Sequence, residues 1–215
     1  FKNYAKEFLM QIGLKEENLR YKDHEKLAHY AKEACDIEYK FPFGWGEING
    51  THNRTDYDLR RHSEYSGVMQ TFLDPDTNEK IIPYVIESTC GVDRVFLAVL
   101  FGAYTKEDDR EVLKLHPFLA PYKLSVLPLI KKVHSEKAKE IFNELSKYFP
   151  VSYDESGSIG KRYRRQDIYG TPYSLTVDDD TLEKNTVTIR NRDTMEQVVL
   201  NLDEVKEFIE SKIVL

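Results

Sequence analysis

The segment "TKEDDREVLKLHPFLAP", residues 105–121, divides the chain into two parts with different hydrophobic rhythms. It runs a charged stretch into two prolines, at 117 and 121, a composition typical of a connection between domains. Before it, "DIEYKFPFGWGEI" alternates Ile37, Tyr39 and Phe41 on one side and continues to Trp45 and Glu47, as half-buried antiparallel strands do. After it, "YKLSVLPLI" reads as an apolar strand. "SEKAKEIFNELSKYF" then reads as a helix with Ser135 as N-cap and Ala138, Ile141, Phe142, Leu145 and Phe149 facing a core. Short strands at "VSYD", "YSLTVD", "NTVTIR" and "EQVVLNL" follow, with a last helix over roughly Asp203 to Ile213. The expected fold class is therefore α/β in a broad sense: antiparallel sheet with helices first, then a small mixed sheet with helices packed on it.

Within the first part, Phe1, Tyr4, Ala5, Phe8, Leu9 and Ile12 recur at steps of three and four and predict an amphipathic helix stopped by Gly13. A second helix is expected over "HEKLAHYAKEAC". The segment "FLDPDTNEKIIPYVIE" reads as strand, turn and returning strand, and "GVDRVFLAVLFGAYT" as a helix.

With 215 residues, 40% of them hydrophobic, the chain can bury a core and fits one or two domains; the change of pattern favours two. A net charge of −6 argues against non-specific coating of DNA or RNA, which depends on accumulated Lys and Arg. Cys35 and Cys90 have no short spacing, so neither a disulfide framework nor a zinc motif is expected, and a reducing cytoplasm fits. No apolar stretch approaches the roughly 18–20 residues that cross a bilayer, so no membrane partner is expected. The first residue is Phe1, not methionine, which points to processing or to a fragment of something longer.

Three segments concentrate groups able to do chemistry. "GWGEINGTHNRTDYDLRRH" places Glu47 on a strand, where a carboxylate can hold Mg²⁺ against nucleotide phosphates, with Asp and Arg neighbours to orient it. The same residues could form a solvated strand and loop with Arg–Asp pairs across it. "YVIESTCGVDRVF" supplies Glu87 for an ammonium group, the Thr89 hydroxyl, a glycine at 91 where backbone can approach a ligand, and Arg94 for a base or phosphate. A strand-to-helix turn with a surface arginine accounts for it equally well. "DESGSIGKRYRRQD" puts Lys161, Arg162, Arg164 and Arg165 behind Gly157 and Gly160, suited to an RNA backbone or to a neighbouring domain; it does not meet the Walker pattern. The six histidines form no i, i+4 pair and no G-x-S-x-G elbow occurs, so no metal held by a protein cluster is expected.

Five blocks, "LAHYAKEACDIEYKFPFGWGEINGTHNRTDYDLRRH", "PYVIESTCGVDR", "LHPFLAPYKLSVLPL", "SGSIGKRYRRQDIYGTPY" and "TVTIRNRDTMEQV", resemble in order and spacing the C-terminal half of the dimeric class II glycyl-tRNA synthetases. The resemblance implies that residues 1–113 are the latter part of the antiparallel class II catalytic domain, and residues 114–215 an α/β anticodon-binding domain with a mixed five-stranded sheet. It implies an ATP-dependent ligase that activates glycine as glycyl-adenylate and passes it to tRNA(Gly), with Mg²⁺, as a cytoplasmic homodimer. "GVDR" is similar to motif 3, which carries ATP binding to Arg94, with Gly91 beside it; "GEI" carries it to Glu47 and Ile48. Arg94 and Glu47 are the implied catalytic pair. The family's glycine-binding E-P-S falls on Glu87, Ser88 and Thr89, with serine where proline is common and threonine where serine is common. Arg162, Arg165, Arg190, Arg192 and Asp193 are the tRNA candidates. Motifs 1 and 2 of the class are not among these residues, so the alternative is a catalytically inactive, synthetase-derived tRNA-binding fragment.

Overall fold

A computed structural model describes residues 1–215, and the chain divides into two compact units, Phe1–Ala98 and Val99–Leu215. In the first, α1 (Lys2–Gln11) leads to β1 (Leu19–Asp23), β2 (Glu33–Phe41) and β3 (Gly44–Asn53), followed by α2 (Tyr57–Ser66), the two-residue strands β4 (Phe72–Leu73) and β5 (Lys80–Ile81), and β6 (Ile86–Cys90). Strands β1, β2, β3 and β6 form an antiparallel sheet in that order. The alternation seen in the sequence becomes one apolar face, with Cys35, Ile37, Tyr39 and Phe41 buried alongside Leu9 and Ile12 of the α1 region. Each such side chain, fully buried, contributes about 1.5–3 kcal/mol.

The β2–β3 register shifts between Ile37 and Glu38: Ile37 faces Asn49, Glu38 faces Glu47, and Ile48 is the extra residue of a bulge. The Ile48 side chain is 1% exposed, and its carbonyl accepts a hydrogen bond from Gly91 N at 3.2 Å. The bulge thereby fixes the turn from β6 into α3 (Val92–Ala103) against the middle of β3.

The second unit takes in the end of α3 from Val99 and continues with the hairpin β7 (Tyr104–Lys106) and β8 (Glu111–Leu113), then β9 (Leu124–Pro128), α4 (Lys131–Leu145), β10 (Val151–Tyr153), α5 (Ile159–Tyr169), β11 (Tyr173–Val177), α6 (Asp179–Lys184), β12 (Thr186–Asn191), β13 (Gln197–Asn201) and α7 (Val205–Glu210). Its five-stranded sheet has the order β10-β9-β11-β12-β13, with β9 parallel to β10 and β11 and the remaining pairs antiparallel. One face is apolar: Leu124, Val126, Leu175, Val187 and Ile189 pack with Ala138, Ile141 and Leu145 of α4 and with Val205 and Ile209 of α7. The face under α5 is polar. Tyr163 Oη and Thr176 Oγ1 are 2.6 Å apart, Ser152 Oγ donates to Gln166 Oε1 at 3.1 Å, and Asp167 is fully buried.

Several sequence expectations are corrected. Residues 24–35 form no helix; Glu33–Cys35 already belong to β2, and Lys32 N donates to Asn53 O at 2.8 Å, so strand pairing overrides the local helical spacing. Residues 57–66 are helical rather than loop, closed by Gly67 at φ 69°. Ser135 lies inside α4, whose N-cap is Ile130, and its hydroxyl donates to Glu155 at 2.9 Å. The last helix is shorter, Val205–Glu210. The charged stretch near 105–113 is no linker. It is the β7–β8 hairpin, tied into the second unit by Arg110, which donates to Asp167 Oδ2 at 3.2 Å and to Arg192 O at 2.7 Å. No helix is long and apolar enough to cross a membrane.

Candidate functional site

Strand pairing sorts the polar groups of the first sheet. Asp36 faces Gly50, which faces Thr89, and His52 faces Glu87, while Glu38 faces Glu47; with alternation along each strand, these residues share the face opposite the apolar one. Thr51 and Ser88 pair on the apolar side, with their hydroxyls 3.4 Å apart. Within the expected glycine triplet, Glu87 and Thr89 point one way and Ser88 the other, because the side-chain period of a strand is two.

Arg94, in the first turn of α3, meets Glu47 through two contacts, Nη1 to the main-chain oxygen at 3.0 Å and to Oε2 at 3.4 Å. Arg94 folds back over the turn, its Cδ 3.5 Å from where a Cβ on Gly91 would stand, an ordinary contact distance. Glu47, Ile48, Gly91 and Arg94 line an open pocket of about 320 Å³ together with Val92 and Asp93. An exposed carboxylate beside an exposed guanidinium can accept a phosphorylated ligand carrying its own Mg²⁺, which takes one or two protein carboxylates and keeps several waters. The donor set fits Mg²⁺ in that shared form.

Glu87 is organised more tightly. Its Oε2 accepts from Arg54 Nη1 at 2.6 Å and lies 3.6 Å from His52 Nδ1, and Oε1 has no hydrogen-bond partner. Arg54 is held by Asp58 through Nε at 2.6 Å and Nη2 at 3.0 Å, and stacks 4.2 Å over the Tyr30 ring. The Arg54 hydrogen bonds lower the Asp58 pKa, and the two carboxylates together raise that of Arg54. The Arg and Asp neighbours in the sequence thus orient Glu87 and not Glu47; the contribution of Tyr30, Asp36 and Gly50 has no local sequence signal. Gly50 leaves space in the floor of this face, where a Cβ would stand 3.4 Å from both Asp36 Oδ1 and His52 Nε2. Nearby, burial alone would raise the Glu38 pKa, but hydrogen bonds from Arg20 and Lys22 outweigh it and hold the carboxyl below its ordinary value. Although the sequence shows no metal motif, His24, Asp36 and His52 converge from three segments, with one potential ligand atom from each within 4.8 Å of the others.

In the second unit, burial removes three of the five tRNA candidates from the surface. Arg162 is 3%, Arg190 6% and Arg192 2% exposed. Arg162 donates to the carbonyls of Pro128 and Gly157, Arg190 Nη1 to Asp167 Oδ1 at 2.9 Å, and Arg192 to Gly170 O at 2.7 Å and Leu115 O at 2.8 Å. They satisfy main-chain oxygens and a buried carboxylate, which ties helix ends and loops together. Arg165 remains accessible while donating to Asp154 Oδ2 at 2.7 Å, and Arg164, on the same helix, pairs with Asp109 at 2.6 Å. Asp193 is accessible beside Arg192.

Residues 123–212 match the family described as Anticodon binding domain. Over 99% of its length the chain is 54% identical to a glycine–tRNA ligase of Clostridium tetani, of which it covers 47%, and 54% identical to that of Clostridium acetobutylicum with the same coverages. It is 53% identical, again over 99% of its length, to the glycine–tRNA ligase of Geobacillus kaustophilus, covering 48% of that protein. The chain thus spans about half the length of the curated relatives it matches. With an antiparallel sheet ending in the Gly91–Arg94 turn, a mixed five-stranded anticodon-binding fold, and similarity along the whole chain, this protein belongs to the glycyl-tRNA synthetase family, corresponding to the C-terminal half of its members.

Proposed function

We propose that the polar face of the first sheet binds glycine and ATP, and that the second unit binds tRNA(Gly), as parts of a glycine–tRNA ligase. The observation that carries this is the state of Glu87. One oxygen is fixed by Arg54, the other is unpartnered, and the carboxylate stands on the same sheet face as the Thr89 hydroxyl and the space above Gly50. An α-ammonium group needs such an acceptor, and glycine, with no side chain, suits a pocket that a glycine of the protein keeps open.

In this reading the glycine carboxylate attacks the α-phosphorus of ATP in line, forming the mixed anhydride glycyl-adenylate and expelling pyrophosphate. A ribose hydroxyl at the tRNA terminus then takes the glycyl group and AMP leaves. No covalent link to the protein forms, so positioning and charge stabilisation carry the reaction. Glu87 holds the ammonium, Thr89 adds a hydrogen bond, and Arg94 offsets phosphate charge or stacks on the base. Mg²⁺ carried by the nucleotide would supply further charge neutralisation, and Glu47 is the carboxylate that would hold it. Arg165, Arg164 and Asp193 remain as accessible tRNA contacts. A cytoplasmic homodimer completes the reading for the whole enzyme.

Calorimetric titration of a non-hydrolysable glycyl-adenylate analogue into the chain tests the assignment. Glu87→Ala and Arg94→Ala should each weaken binding at least tenfold; unchanged affinity in both would sink it.

A further inference from the structure

We propose that His24, Asp36 and His52 form a binding site for a zinc-class divalent cation, separate from the Mg²⁺ carried by a nucleotide. His24 Nε2 lies 2.7 Å from Asp36 Oδ2. Asp36 Oδ1 and His52 Nε2 approach the same point above Gly50, each 3.4 Å from where a Cβ would stand, so the absence of a side chain at 50 leaves the space between the donors open. One ligand atom from each residue lies within 4.8 Å of the others. A tetrahedral ion with bonds of about 2.0–2.2 Å needs donor separations of about 3.4 Å, which small side-chain rotations reach from here. Two imidazoles and a carboxylate with one position left to water is the donor set of open zinc sites, and nitrogen donors favour Zn²⁺ or Co²⁺ over Mg²⁺ or Ca²⁺.

Two further features point to a cation. Asp36 is 8% exposed, and its one ion-pair partner is His24; Glu38, the other buried carboxylate of the face, has both Arg20 and Lys22. Buried carboxylates are paired with cations or coordinate metals, and Asp36 has no lysine or arginine to do so. On the other side of the ring, His52 Nδ1 stands 3.6 Å from Glu87 Oε2. That distance is too long for a hydrogen bond, but the negative charge beside Nδ1 favours the proton there and leaves the Nε2 lone pair for a metal, and a short approach would complete the usual outer partnership of a metal-bound histidine. The cation would take the space above Gly50 that the proposed function gives to glycine, so the two are alternatives there and the titration is made without glycine.

Co²⁺ titration of the folded chain, followed by visible absorption and then displaced by Zn²⁺, gives a readout that needs no variant. The expected result is a saturable one-to-one signal with the ligand-field bands of a four- or five-coordinate ion, abolished by Zn²⁺. His24→Gln and His52→Gln, both at partly exposed positions, should each weaken binding at least tenfold, with circular dichroism confirming their fold, while His116→Gln leaves it unchanged. Absence of saturable binding, binding indifferent to both histidine variants, or a thiolate charge-transfer band reporting Cys35 or Cys90 would each overturn the proposal.

Discussion

Arg54 Nη1 stands 2.6 Å from Glu87 Oε2, so a carboxylate on β6 is aimed by an arginine that follows β3 and is itself clamped by Asp58 at the start of α2. The arrangement fixes the direction of Glu87 without occupying both its oxygens. Arg54→Lys keeps the charge but cannot reproduce the fork that grips Asp58 and Glu87 together. For the complete synthetase, this substitution should raise the KM for glycine about tenfold, with the KM for ATP little changed. Steady-state kinetics with each substrate varied checks this, and equal effects on both would point to a general disturbance of the sheet.

Gly50 is not in the left-handed region, so alanine is conformationally compatible and should leave thermal stability unchanged or raise it by about 0.4–1 kcal/mol. Its methyl would stand 3.4 Å from Asp36 Oδ1 and His52 Nε2 and fill the floor of the polar face. Gly50→Ala should therefore weaken glycine binding at least tenfold in a protein that melts no earlier than the original. Calorimetry and a melting curve on the same sample separate the two effects.

Asp167 is fully buried between Arg110 and Arg190. Removing one partner of a buried ion pair costs about 3–5 kcal/mol because the remaining charges stay desolvated. Asp167→Ala and Arg190→Ala should each destabilise the second unit by that order in urea titrations. Arg165→Ala should instead leave stability within about 0.5 kcal/mol and weaken tRNA(Gly) binding, an effect that shrinks as salt is raised.

That contrast marks a limit of sequence reading. A run of arginines signals positive charge, but nothing local distinguishes Arg165, half-buried and still accessible beside Asp154, from Arg162 and Arg192, which are folded inward onto main-chain carbonyls. The alternation of Ile37, Tyr39 and Phe41 was legible because burial of one sheet face imposes a period of two, and the same rule applied to residues 87–89 would have placed Ser88 on the opposite side. The mixed sheet of the second unit was legible from its apolar strands and the core face of α4. The helical spacing of residues 24–35 misled because β2 recruits its end and the sheet uses the rest: His24 turns to Asp36 and Tyr30 carries Arg54. Long-range convergence of this kind leaves no spacing rule behind.

Glu155 accepts hydrogen bonds from Lys131, Tyr153 and Ser135, which lower its pKa from 4.5 to about 2. A carboxyl with a depressed folded-state pKa adds stability above its unfolded pKa and loses it as pH falls through the folded value. The melting temperature of Glu155→Gln should fall below that of the original protein at pH 6, and the gap should close between about pH 4.5 and pH 2. A gap independent of pH across that window would mean that the charge of Glu155 is not what stabilises the contact.

Glycine-dependent ATP–pyrophosphate exchange tests the central claim most directly. It is best measured in a chimera in which this chain replaces the matching half of the Clostridium tetani relative, with Glu87→Ala alongside. The account predicts exchange in the chimera and a loss of at least a hundredfold in the variant; undiminished exchange with Glu87→Ala would contradict the assignment of this face to glycine.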